Sequence, residues 1–288
     1  KVSVTWADGW RAGAIFYYLG DQAARKAQCF AQQAIARSQR KLRAAGESDF
    51  NELCIETVGD ESHYGAASKA ADSREVALKV AARHAEKRAV SLLLKELTGA
   101  ALGAPPGLCM FAGTRPKPSP VIRLFSFLID KAHLEVDVTG PGGSQRCMPS
   151  PAIRPESGPP HPIPPIQSRD VGLVDVPLKR LAFVRSGDKG NKANIGVVAR
   201  QPAFLPWLAA GLTVERVRER FSHFLTSPAV DRYYLPGLPA LNFVWHDALG
   251  GGGVASLRND PQAKCYSQLL LDVSISIPSA LLGVNNNA

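Results

Sequence analysis

The stretch Arg185-Ser-Gly-Asp-Lys-Gly-Asn-Lys-Ala-Asn194 crowds charge, amide and hydroxyl groups around two glycines. Asp188 next to Lys189 pairs a proton-transfer group with a cation that can hold developing negative charge. Arg185, Ser186, Asn191 and Asn194 add donors suited to an anionic ligand. Apolar runs, Leu181 to Val184 and Ile195 to Ala199, enter and leave the stretch and read as strands. The connection between them reads as longer than a tight hairpin needs. The competing reading is an ordinary polar hairpin.

A second chemical feature is Gly250-Gly-Gly-Gly253. Ordering consecutive glycines is costly, so the run implies flexibility or a backbone that must approach something closely. The N–H groups of Gly251 and Gly252 could form an anion-binding nest beside Asn191 and Asn194. Neither segment is a phosphate-binding Gly-Lys-Ser/Thr loop. A third feature is Arg115-Pro-Lys117 within a proline-rich loop, where rigid backbone would fix two cations for phosphate or carboxylate. Asp60, Glu61 and His63 in a glycine-bearing loop can look like a metal or acid–base site, but a polar turn is the preferred reading. No metal site is expected. The five cysteines are odd in number and widely spaced, which predicts reduced thiols and a cytoplasmic setting.

These groups need a scaffold. The chain has 288 residues, enough for two domains. Its net charge of +9 allows acidic ligands, but the cations are dispersed and no RNA-recognition pattern accompanies them, so nucleic acid is not the expected partner. No apolar run is long enough for a transmembrane helix, and no membrane partner is expected. Lys1 opens the chain inside a strand without a signal-peptide pattern, so a later part of a longer protein is expected.

Val2 and Val4 start a strand, Asp8-Gly9 reads as a turn, and Arg11 to Leu19 as a second strand. A helix follows, with Asp21 as its N-cap and a solvated basic face. Strands at Asn51 to Val58 and near Val76 to Val80, a helix from Glu86 to Leu97 and a strand at Val121 to Ile129 complete the set. The last strand reads as buried on both faces. The order is that of a split βαβ, ferredoxin-like sandwich. From Gly140 to Ser168 the prolines and glycines predict a tether without helix or sheet. Beyond it, a long strand, the charged loop, a helix from Pro202 broken at Gly211, two strands and a closing helix and strand predict a second sheet. Asp260-Pro261 reads as the start of that closing helix.

Several motifs together resemble a known family. Arg185-Ser-Gly-Asp-Lys-Gly-Asn191, Ala193-Asn-Ile-Gly196, Leu241-Asn-Phe-Val244, Ala248 to Gly253 and Ser256-Leu-Arg258 are similar to the C-terminal domain of AtuA-type acyclic terpene utilisation proteins. Gly113, Arg115-Pro-Lys117, Ser119-Pro-Val121 and Arg123 to Phe127 resemble the later half of that family's main domain. The resemblance implies an α+β architecture of two α/β sandwich domains joined by a Pro-rich linker. The divisions are 1–139, a main domain incomplete at its N-terminus, 140–175, the linker, and 176–288, a ferredoxin-like domain. It also implies catabolism of citronellol- or geraniol-type compounds, whose intermediates travel as CoA thioesters. The expectation is a soluble catabolic protein acting on a branched acyl or acyl-CoA substrate, as a hydratase or lyase. Asp188 and Lys189 would be catalytic, and Arg185, Ser186, Asn191, Asn194, Gly251, Gly252, Arg115 and Lys117 would bind substrate. The cofactor is left open. The alternative is a non-catalytic ligand-binding or assembly module, since a ferredoxin-like sheet can also form a homo-oligomer.

Overall fold

The computed structural model describes all residues except 71, 112, 114, 148–160, 167–171, 226–228 and 286–288. In the first unit, β1 (Val2–Leu19) is one strand where the sequence predicts two. Gly9 has φ 78°, and the register with the neighbouring strand shifts between Ala7 and Trp10. Asp8-Gly9 is therefore a bulge and not a turn, which glycine makes possible by accepting positive φ. Next come α1 (Ala23–Ala44), β2 (Glu52–Val58), β3 (Glu75–His84), α2 (Lys87–Ala101), β4 (Leu108–Cys109) and β5 (Ser119–Phe127). The sheet order β2-β3-β1-β4, with β5 also on β1, is that of a ferredoxin-like sandwich.

Alternation decides the faces. Phe16, Tyr18, Leu78 and Val80 pack against Phe30, Ala34, Leu93 and Leu97 of the two helices. The N-cap position of α1 is Gln22, not Asp21, and no side chain caps it. Part of its basic face is used internally: Arg37 Nε and Lys41 Nζ lie 3.1 Å and 2.5 Å from the buried Glu96. Strand β5 departs from the expectation of double burial. Phe125 is 57% exposed and Phe127 39% exposed, because this part of β5 pairs only with the start of β1.

Among the described residues, the opposite face of the sheet carries no helix. Strand register aligns its residues into rows: Glu56, Lys79 and Ile15; then Cys54, Ala81 and Gly13; then Glu52, Arg83 and Arg11. Two polar rows thus flank a row of small side chains.

A strand also expected at Leu134 to Val138 is present as β6 (Val136–Gly140), and its hairpin partner β7 (Gly143–Cys147) occupies the start of the predicted tether. Pro141-Gly142 closes the hairpin as a two-residue loop, so proline and glycine here form a turn instead of barring sheet. Residues 161–166 carry no regular structure, and Ile163 packs on the second core. The remainder of the predicted tether, at 148–160 and 167–171, lies outside the described residues.

The second unit begins with β8 (Leu173–Pro177), which straddles the expected end of the linker at residue 175. A 3-10 turn at Leu178–Arg180 separates it from β9 (Ala182–Lys189), and β10 (Lys192–Ala199) follows. Then come α3 (Leu205–Gly211), α4 (Val214–Phe221), β11 (Val230–Leu235), β12 (Ala240–Trp245), α5 (Tyr266–Leu270) and β13 (Ser274–Pro278). The predicted break at Gly211 is present, and the Thr213 side chain caps α4 by accepting from Arg216 N at 3.2 Å. The sheet order is β11-β12-β10-β9, with β8 and β13 paired separately. Asp260 caps a turn, not the closing helix: its carboxylate accepts from Lys264 N at 2.8 Å and Cys265 N at 2.7 Å, before α5 starts. No helix among the described residues is long and apolar enough to cross a membrane.

Phe221 anchors the second core, with its ring 5.1 Å from Trp245 and 5.8 Å from Tyr266. Both partners are buried. Phe221→Ala is expected to cost about 3–5 kcal/mol, the range for emptying a buried aromatic site. Urea denaturation checks this, and a loss under about 1 kcal/mol contradicts the packing described.

Candidate functional site

The helix-free face of the first sheet is covered by the segment Gly250 to Asn259 of the second unit. The contacts are side chain to backbone. Arg11 Nη1 donates to Ser256 O at 3.1 Å. Lys79 Nζ donates to Leu257 O and lies 2.8 Å from Glu56 Oε2. The same Glu56 oxygen accepts from Asn259 N at 2.7 Å. The polar rows of the sheet therefore satisfy an irregular segment that has few backbone partners of its own. Burial raises the Glu56 pKa, but hydrogen bonds from His63 and Lys79, the Lys79 charge and the Asn259 amide outweigh it and bring it down to about 2.

Arg258 pins the other side of the segment. Its guanidinium donates to Ala248 O, to Tyr266 Oη at 2.9 Å and to Phe224 O at 3.1 Å. The glycine run makes two close approaches. Gly251 has φ 101°, and a Cβ there would collide with the Arg123 guanidinium. Gly252 has φ 97°, and its Cβ would lie 3.3 Å from Gly190 O. These positions accommodate protein on both sides, and neither lines the cleft described next.

That cleft, of about 620 Å³, lies between the sheet face and the docked segment. Ala14, Ile15, Met110, Phe111 and Leu257 give it an apolar lining, and Arg11, Lys79, Lys117 and Arg258 give it positive charge. Among the described residues its lining contains no carboxylate and no imidazole. Arg11, Lys79 and Arg258 are engaged by backbone, whereas Lys117 has no hydrogen bond or ion pair among the described residues. Arg115, two residues away, instead lines a neighbouring cavity of about 760 Å³ against Leu94, Lys95 and Thr98 of α2.

The charged stretch at 185–194 is differently built from the expected long loop. Lys189 pairs with Lys192 in register, so Gly190-Asn191 is a two-residue hairpin turn, with Gly190 at φ 66°. Asp188 and Lys189 are consecutive in β9, and successive strand side chains leave opposite faces. Asp188 lies 3.7 Å from Lys264 Nζ, while Lys189 is exposed. Asn191 Oδ1 accepts from Leu249 N at 3.2 Å and Gly251 N at 2.8 Å, so it organises the glycine segment. Ser186 Oγ accepts from Ser267 N at 2.8 Å and fastens α5. Asn194 meets Asn242 at 3.5 Å, and Arg185 is exposed. Of the expected site residues, Lys117 alone lines the cleft.

Residues 1–139 match the family model described as acyclic terpene utilisation family protein AtuA, and residues 176–276 match the AtuA ferredoxin-like domain. The chain belongs to the AtuA family. No curated protein and no solved structure matches it. The two family matches correspond to the two units that meet at this cleft.

Sequence reasoning missed Arg11, Lys79 and Glu56. Their signal was in the alternation of β1, β2 and β3, where one set of alternate positions holds charged and small residues. That pattern normally marks a solvated face; here the face is covered by another part of the chain. Among the described residues no cluster of His, Cys, Asp or Glu could hold a metal ion.

Two outcomes follow. The folded pKa of Glu56 is depressed, so its contribution to stability is fully present above the unfolded value of 4.5 and is lost as pH falls toward about 2. Glu56→Gln is expected to flatten that part of the acid-denaturation profile, measured by thermal melts between those values; an unchanged profile contradicts the linkage. Asn191→Ala strands two amides of the glycine segment and is expected to cost about 1–3 kcal/mol by chemical denaturation.

Proposed function

We propose that this AtuA-family chain binds a branched acyl ligand, as a free carboxylate or a CoA thioester, in the cleft between its two units. The observation that carries this reading is Lys117, a cation without a protein partner among the described residues, beside an apolar lining. The apolar wall suits a branched hydrocarbon tail. The cation and the positive surroundings suit a carboxylate, thioester oxygen or phosphate. The volume lies in the range of small-molecule sites. The setting would be catabolism of citronellol- or geraniol-type compounds.

Hydration or elimination on that ligand is the catalytic form of the proposal. It needs a proton-transfer group from outside the cleft lining, and Asp188 is the group that the charged stretch offers. The absence of carboxylate and imidazole from the lining favours a second reading, in which the chain holds its ligand without transforming it.

Calorimetric titration with 3-methylbutanoyl-CoA tests the site. Lys117→Ala is expected to weaken binding about tenfold, the equivalent of about 1.4 kcal/mol. Asp188→Asn is expected to leave affinity unchanged. Affinity that is indifferent to Lys117 and falls with Asp188 would move the site to the hairpin.

A further inference from the structure

A separate pocket of about 340 Å³ opens on the other side of the docked segment, at the edge strand β2. His63 lines it, in the loop the sequence presents as a polar turn. Its Nε2 lies 3.2 Å from Glu56 Oε1. At neutral pH Glu56 is a carboxylate and can only accept, so His63 Nε2 must carry the shared proton. In the neutral ring this leaves Nδ1 as the acceptor. Nδ1 has no partner among the described residues.

The loop is clamped from the second unit. His223 Nε2 donates to His63 O at 2.8 Å. The His223 ring occupies the space where a Cβ on Gly65 would stand, and Gly65 has φ 55°. Ser62 Oγ adds an anchor to Thr57 O at 2.6 Å. His63 is thus oriented by a carboxylate, and its backbone is fixed across the junction.

The other charged groups around the pocket are occupied. Lys79 is held by Glu56 and Leu257 O, and Arg258 by two carbonyls and Tyr266. Both Asp260 oxygens accept backbone amides. Glu52 is 3.6 Å from Arg83. An anionic ligand would find no free cation of the side chains lining the pocket and would meet Glu52 and Asp260. A cationic ligand would find both Asp260 oxygens holding backbone amides and would meet the Arg83 guanidinium beside Glu52. Burial pushes the Cys54 thiol up to about 12, with Glu56 adding to the effect, so the thiol stays protonated and is a weak donor.

We propose that this pocket is a second ligand site, for a small neutral hydroxyl-bearing molecule, with His63 Nδ1 as its proton acceptor. The ligand hydroxyl donates to Nδ1. If the proton transfers, the O–H bond breaks, an N–H bond forms on His63, and the Glu56 carboxylate balances the imidazolium while the oxygen keeps its electron pair. Arg258 lines both cavities, but Lys117, the cation that the acyl reading needs, does not line this one, so the two sites can be tested separately.

Long-range proton–nitrogen correlation spectra of the full chain, with nitrogen-15 histidine, test the proposal. His63→Gln assigns the signal by its loss. The expected result is a ring with its proton on Nε2 and a bare Nδ1, whose Nδ1 resonance moves saturably as 3-methylbutan-1-ol is added. Lys117→Ala should show the same shift, which separates this site from the cleft. Glu56→Gln should populate the other tautomer. A neutral ring protonated at Nδ1, no saturable shift with the alcohol, or an equal shift with 3-methylbutanoate would overturn the proposal.

Discussion

An irregular backbone segment cannot be buried against a sheet unless its amides and carbonyls find partners. That constraint governs the junction of the two units. Arg11, Lys79 and Glu56 stand on the helix-free face and bond the backbone around Ser256, Leu257 and Asn259. Charged side chains reach further than backbone groups, and their charge-assisted hydrogen bonds are stronger than neutral ones. The glycine run lets the same segment pass Arg123 on one side and the Gly190 turn on the other. Asn191 holds it from the hairpin, so the charged stretch that stands out in the sequence supports the junction.

The junction produces cavities with different chemistry on its two sides. On the β1 side, small residues and Gly13 leave room, and Met110, Phe111 and Leu257 make the wall apolar. Among the described residues the cations there are engaged with backbone except Lys117, and the proposed anion site rests on that lysine. On the β2 side, charges are paired with one another and an imidazole is left with an open acceptor. One docked segment therefore separates a cleft lined by apolar side chains and cations from a pocket lined by carboxylates and imidazoles.

Much of the scaffold was legible in the sequence. The strand-helix-strand-strand-helix-strand order follows from alternation around Val76 to Val80 and from the helical spacing of Ala27, Ala31, Ala34 and Ile35. The break at Gly211 was equally clear. Other features depend on geometry outside the local pattern. Asp8-Gly9 can be a turn or a bulge, and strand β5 decides which by pairing on both sides of it. Pro141-Gly142 looks like the start of a tether until Gly140 pairs with Gly143. The site was the hardest part to read. Lys117 was visible as a fixed cation, but its neighbours come from β1, β3 and residues 253–261, far apart in sequence. Glu56 and Lys79 look like solvated strand residues because nothing local indicates that another unit covers them.

Amide hydrogen exchange of the full chain with and without 3-methylbutanoyl-CoA tests the central claim most directly. If the docked segment builds the binding cleft, the ligand will slow exchange together in peptides covering residues 11–15, 79–81 and 253–261. The hairpin at 185–194 will respond only weakly, through Asn191. Protection confined to 185–194, with the sheet face and the docked segment unaffected, would contradict the account.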